Sequence, residues 1–305
     1  MRFPDQLISC VGFFSYDQQP IQYRGTGFLA AIKGEHGNVY LHLVTAAHVA
    51  EKIENRSWVF GVNLKSGGKV LIKSGNIKWW YHPTDKDHVD AAVTAFATDQ
   101  VSDYELSWIP ETAFATDQII KERGIGVGDQ VNVVGLFTRF HGNERHIPIV
   151  RTGNIAMMPR ESIPTKKYGP MEAYLAEGRS IGGLSGSPVF GRGSVTVSGE
   201  APDGSTKHWF AYGPFNFLGL MHGHWEVDVQ KDEQAEAVNM GISIIVPAKK
   251  ILEILYHPEL VDMRKKFDDA IANNREPILD SDFDETTLRQ EDFESALKQV
   301  TRKVK

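Results

Sequence analysis

Three side chains of this sequence have the types needed for nucleophilic acyl transfer. Ser185 stands in GGLSGSPVF at 182–190, packed among glycines just before Pro188 and an apolar run, a setting that holds a hydroxyl exposed. A serine hydroxyl is a weak nucleophile until a base takes its proton, so the motif carries chemistry only where a histidine and a carboxylate stand in compatible places. His48 follows LHLVTAA at 41–47, an apolar strand running into a small-residue turn, and Asp90 opens the apolar run AAVTAF at 91–96. Each has a neighbouring rival. Asp87 sits in the polar turn PTDKDH at 83–88 and reads as solvated, whereas Asp90 can be drawn inward; Ser187 stands two residues beyond Ser185.

The order His48, Asp90, Ser185 is neither that of α/β-hydrolases nor that of subtilisin-type enzymes. Around it recur GTGFLA at 25–30, VTAAHV at 44–49, DAAV at 90–93, GDQVNVVG at 128–135, GGLSGSPVF at 182–190 and FLGLMHG at 217–223. Over about residues 8–257 the chain thereby resembles a trypsin-like (chymotrypsin-fold) serine peptidase. It is closer to bacterial glutamyl-endopeptidase and HtrA-like members than to digestive ones. The resemblance implies an all-β fold of two six-stranded antiparallel barrels, the first over about 8–110 and the second over about 120–247, with a closing helix at 247–256. His48 and Asp90 would lie in the first barrel and Ser185, the first of the two serines in the family pattern, in the second, meeting at the interface.

The implied activity is that of a serine-type endopeptidase, a hydrolase acting on polypeptides through an acyl-enzyme and needing no cofactor or metal. His48 would be the general base, Asp90 its orienting carboxylate, and the backbone N–H groups of Gly183 and Ser185 the oxyanion donors. The segments EGRSIGGLS at 177–185 and GLMHGHW at 219–225 would form the walls of the substrate pocket. Ser180 falls near the hydroxyl residue used by glutamyl endopeptidases, and His222 or Met221 near their pocket histidine. An inward Arg179 or His222 would favour an acidic residue before the scissile bond; with Arg179 solvated, the pocket is small and apolar instead. Glu177 is the one acid in these walls, which argues against cleavage after Lys or Arg. Leu184 replaces the Asp that digestive relatives use to capture a freed N-terminus, so that zymogen switch is absent. Narrow specificity or partner-triggered ordering of the oxyanion loop is the expectation. Two other readings use the same residues: a catalytically silent trypsin-fold binding or scaffold protein, and an esterase.

The elements that must position these groups read as short strands. YRGTGFLAAIK, NVYLHLVTA, SWVFGVNL, GKVLIKSG and DQVNVVGLF are β-branched or aromatic runs separated by Gly, Asn and Asp. Leu7–Phe14 is apolar but short and lacks a basic start, so it reads as a first strand rather than a signal peptide. TAFATDQ occurs at 94–100 and again at 112–118, a local duplication whose first copy extends the Asp90 strand and whose second lies between barrels. Gly191–Phe215 reads as a surface hairpin or loop, either overhanging the cleft or decorating the surface. His222-Gly223-His224, with His208, lacks further ligands at metal-site spacing.

The 305 residues, 41% hydrophobic, suffice for a sizeable core. A net charge of −6 offers no attraction to nucleic acid or an anionic membrane, and no run of about 20 apolar residues occurs. The single cysteine, Cys10, excludes an intrachain disulfide, and the reading is a cytoplasmic protein. PAKKILEIL at 247–255 reads as a helix with Pro in its first turn. Residues 258–305 form a helical and acidic C-terminal tail, with Leu288, Phe293, Ala296, Leu297 and Val300 on one face, either packed on its own enzyme or docked to a protein partner.

Overall fold

The computed structural model describes residues 2–273 apart from 75–76, 99–100, 179–182, 201–204 and 232–233. After a short helix α1 (Asp5–Ile8), the first half consists of β1 (Val11–Tyr16), β2 (Tyr23–Lys33), β3 (Val39–Thr45), β4 (Trp58–Asn63), β5 (Lys69–Lys73), β6 (Trp80–Tyr81), β7 (Ala92–Ala95) and β8 (Ile109–Pro110). They form one sheet in the order β5-β4-β1-β2-β3-β7-β6, antiparallel throughout, with β8 pairing β2 in parallel. Phe13, Phe14, Phe28, Leu29, Leu43 and Phe60 are fully buried in it. The Phe14 ring meets those of Trp58, Phe60 and Trp79 at centroid distances of 5.3, 5.0 and 6.0 Å, so aromatic area dominates this core.

Among the described residues, which omit 75–76 between β5 and β6, this sheet does not close into the expected six-stranded barrel. Closure would require β5 to pair with β6, yet β6 is two residues long and its segment is tied elsewhere. The Lys78 carbonyl accepts from Thr94 Oγ1 at 2.8 Å, and Trp80 Nε1 donates to Glu259 at 2.9 Å. Two residues cannot supply the ladder bonds that closing an edge demands.

The second half does close. It contains β9 (Gln130–Gly135), β10 (Ile149–Met157), β11 (Ile163–Thr165), β12 (Gly169–Met171), β13 (Tyr174–Glu177), β14 (Pro188–Gly191), β15 (Ser194–Glu200), β16 (Thr206–Tyr212), β17 (Asn216–Lys231) and β18 (Gln234–Pro247). Six of these make a closed barrel, β10-β13-β18-β17-β14-β9, while β11-β12 and β15-β16 are separate hairpins. The polar segment after Ser185 is thus the β15-β16 hairpin, with its tip at 201–204 outside the described residues. Val131, Val133, Tyr174, Leu184, Val189, Met221 and Ile245 fill the barrel.

Helices α2 (Ala47–Ile53), α3 (Asp117–Arg123), α4 (Ala248–Leu255) and α5 (Pro258–Ala272) complete the described chain. α5, the start of the segment expected as a tail, is packed on the first sheet: Leu260, Arg264, Phe267 and Asp268 are buried. Asp268 accepts from the Glu35 amide (2.8 Å), Asn38 Nδ2 (2.5 Å) and the Tyr40 hydroxyl (2.8 Å), answering donors of the β2-β3 connection. Residues 274–305, with the apolar face read at 288–300, lie outside the described residues. No helix among the described residues is long and apolar enough to cross a membrane.

Arg264 Nη1 lies 3.2 Å from His42 Nε2, which accepts because burial and the Arg264 charge push the imidazole down to about 3. An unfolded chain protonates this histidine near pH 6.5 while the folded one refuses the proton, so stability falls as pH drops from about 6.5 towards 3. The shift predicts a loss of ~2 kcal/mol from His42 alone on going from pH 7 to pH 5. Denaturant unfolding of His42→Gln, which keeps an acceptor for Arg264 but cannot titrate, should show a correspondingly flatter pH dependence; an unchanged slope contradicts the assignment.

Candidate active site

Sheet register brings the first two candidate residues together. β3 and β7 are antiparallel with Thr45 opposite Ala92, so the chain leaving β3 and the chain entering β7 pass at the same end of the sheet. His48, in the first turn of α2, and Asp90, two residues before β7, therefore face each other. His48 Nδ1 lies 2.8 Å from Asp90 Oδ2, and the His48 backbone N–H donates to Asp90 Oδ1 at 2.9 Å. Asp90 is 0% exposed whereas Asp87 is exposed, which separates the two rivals by environment. Burial alone would raise the Asp90 carboxyl, but hydrogen bonds from His222 and His48 and the charge of those rings outweigh it and hold the group well below the usual carboxylate range. An ionised carboxylate only accepts, so each ring presents an Nδ1–H to it.

Ser185 belongs to the turn that leads into β14. Gly183 and Gly186 adopt φ of +98° and +85°, backbone that side chains rarely tolerate. A Cβ on Gly186 would also fall 2.1 Å from the Thr26 carbonyl oxygen and 2.3 Å from Thr45 Oγ1, so only glycine lets this turn touch the first sheet. Thr26 of β2 fastens it there. Its N–H donates to the Ser185 carbonyl (3.0 Å), its hydroxyl donates to the Gly183 carbonyl (2.8 Å), and the same hydroxyl accepts from the Leu136 amide (3.0 Å). Ser185 is partly exposed and its hydroxyl donates to the His222 carbonyl at 3.2 Å. Ser187 is fully buried, its hydroxyl without a partner among the described residues, and so is removed from the cleft.

The four pocket candidates fare differently. Arg179 and Ser180 lie outside the described residues. Met221, expected in the pocket wall, is a core residue of the barrel, 1% exposed and packed in the same cluster as Leu184 and Ile245. His222, also expected in that wall, turns to Asp90 instead, with Nδ1 2.5 Å from Oδ2. The cause is a β-bulge: Met221 opposes Ile245 and Gly223 opposes Ile244, leaving His222 as the extra residue, and a bulge re-aims its side chain. The His48 and His222 rings stand edge to face at 5.8 Å, and the Tyr168 ring packs on His222 at the same distance. The buried Tyr168 hydroxyl lies beside Asp90, and burial together with the proximity of that carboxylate pushes its pKa up. Sequence reasoning missed both Tyr168 and Thr26 as parts of the site, although Thr26 lies inside the GTGFLA motif.

His48, Asp90 and His222 offer three metal-ligand atoms within 4.8 Å of one another. The Asp90 contacts of 2.8 and 2.5 Å are hydrogen-bond lengths. Ligands sharing a tetrahedral zinc at about 2.0–2.1 Å stand roughly 3.3 Å apart. The trio in this arrangement fits protons between its members and not a cation.

The described chain is thus a β-rich protein in which an imidazole–carboxylate pair stands at the end of the first sheet and a glycine-framed serine of the closed barrel is fastened to that sheet by Thr26. No protein-family model matches the chain, and no curated protein matches its sequence. Among solved structures it is similar to the MamO protease domain from Magnetospirillum magneticum in its apo form, at 13% identity and a TM-score of 0.48, over 81% of this chain and 96% of that one. It is also similar to Deg5, at 15% identity and a TM-score of 0.49, over 84% of this chain and 91% of that one.

If Thr26 holds the serine turn, Thr26→Val, which keeps the shape and loses the hydroxyl, should lower unfolding stability by about 1–3 kcal/mol through the unsatisfied Gly183 carbonyl and Leu136 amide. Hydrogen exchange at the Leu136 amide should accelerate in the same variant. Wild-type exchange there would show that the turn is held by other means.

Proposed function

We propose that this chain is a trypsin-like serine endopeptidase. The observation that carries the reading is the buried His48–Asp90 hydrogen bond at the end of the first sheet, with Ser185 fastened to that same sheet by Thr26. With Nδ1–H donated to Asp90, His48 keeps Nε2 free as general base. The Ser185 hydroxyl swings from the His222 carbonyl to Nε2, yields its proton and attacks a peptide carbonyl. His48 then returns the proton to the leaving amine, and the N–H groups of Gly183 and Ser185 stabilise the oxyanion. Water, deprotonated by His48 in turn, cleaves the acyl-enzyme.

Because His222 is engaged by Asp90, a preference for acidic residues before the scissile bond rests in this proposal on Arg179 and Ser180. A second reading, a protein that keeps these residues and turns over slowly or only when triggered, is favoured by the Ser185 hydroxyl resting on a carbonyl and not on His48. An esterase would use the same groups.

Active-site labelling with a fluorophosphonate decides between them. The endopeptidase reading expects covalent labelling of the wild type that is abolished in both Ser185→Ala and His48→Ala, with cuts in a mixed peptide library run alongside. Labelling without peptide cleavage supports the esterase, and no labelling at all supports the silent fold.

A further inference from the structure

Asp90 receives one donor more than an imidazole–carboxylate–serine arrangement uses, and it comes from across the seam. Oδ1 accepts the His48 backbone N–H, and Oδ2 accepts Nδ1–H from His48 in α2 and from His222 in β17. We infer that His222 is a positioning residue of the site: its imidazole clamps Asp90 and shares the carboxylate charge with His48, setting how strongly His48 is held as a base. For its kinetic consequence this inference rests on the endopeptidase reading; the geometry stands apart from it.

Three features make the clamp deliberate. A β-bulge at His222 directs the ring towards the first sheet, against the alternation of β17. The Tyr168 ring covers it, leaving the His222 side chain 18% exposed, equal to that of His48. Donors on both Asp90 oxygens stop the carboxylate rotating, so the His48 ring has one orientation.

The sign of the electrostatic effect follows. A donor from His222 spreads the Asp90 charge over two rings, and each feels less of it than a sole partner would. Removing that donor concentrates the charge on His48, stabilises its protonated form, and moves the acid limb of kcat/KM to higher pH. The other titratable groups here are Tyr168, from the β11–β12 turn, with Glu51 of α2 and Tyr81 of β6 acting on it; all oppose Tyr168 ionisation and leave it neutral across the working range.

The test compares full-length wild type with His222→Leu, similar in bulk but without a donor, and His222→Asn, whose amide N–H stands near the position of Nδ1–H. His222→Leu should lower kcat roughly 10- to 100-fold with KM within about twofold, and move the acid limb to higher pH. His222→Asn should recover most of kcat and the wild-type limb. Equal losses in both variants, or a limb that does not move, would overturn the inference. Long-range 1H–15N NMR supplies a readout independent of turnover: both rings should carry their proton on Nδ1, and a His222 protonated on Nε2 alone contradicts the clamp. Correct tautomers in a protein that neither labels nor cleaves would leave the clamp standing and sink the endopeptidase reading.

Discussion

A buried negative charge sets the conditions for the rest of this site. Asp90 has no exposed surface, and withdrawing a carboxylate from water costs several kcal/mol unless donors replace the lost hydration. The first half supplies two of those donors, both from His48 of α2, and the barrel supplies the third through His222. The charge is therefore fully solvated by protein only when the two halves are docked. The requirement that stabilises the ion is the same one that fixes the imidazole in a single tautomer and orientation, so site geometry and folding are satisfied by one set of bonds.

Docking is reinforced on either side of that charge. Thr26 binds the serine turn and Leu136, the residue just after β9, and the positive φ of Gly186 permits the close approach of the turn to β2. Beneath the polar seam the apolar core is continuous: the rings of Phe28 from the first sheet and Phe217 from the barrel lie 5.1 Å apart, and Phe114, from the connection, meets Phe217 at 4.7 Å. Apolar area supplies association and the polar bonds supply register, a division seen wherever directional groups are few and well placed. α4 packs against both β17 of the barrel and β7 of the first sheet, and α5 closes over the first sheet, with the buried Arg264 and Asp268 each matched to partners in the β2-β3 region.

What could be read in the sequence is what local chemistry encodes. His48, Asp90 and Ser185 sit at strand ends and in a glycine turn, so small residues and apolar runs on either side mark them without knowledge of the partners. His222 was legible as a site residue but not in its role, because the bulge that turns it depends on register with β18, a strand whose pairing local alternation does not report. The unclosed edge of the first sheet among the described residues was hidden for a similar reason: Trp80 of β6 is tied to Glu259, 179 residues away. The two TAFATDQ copies show the limit most directly. The first enters β7 beside β3, whereas in the second Phe114 is buried and Thr116 caps α3, accepting from the Ile119 amide. Identical residues take different structures because the following Ile-Ile-Lys-Glu continues as helix while the first copy has a strand to pair with. Arg264 and Asp268 are buried on partners more than 200 residues away, which no local pattern in the sequence reports.

The central claim is that the Asp90 charge orients His48 for catalysis at Ser185. Measuring peptide hydrolysis by Asp90→Asn, in protein shown by circular dichroism to retain the wild-type fold, tests it most directly. The account predicts a fall in kcat of about three to four orders of magnitude with KM little changed, because the amide can donate to Nδ1 and favours the wrong tautomer. A folded Asp90→Asn protein that cleaves peptides at close to the wild-type rate would contradict it.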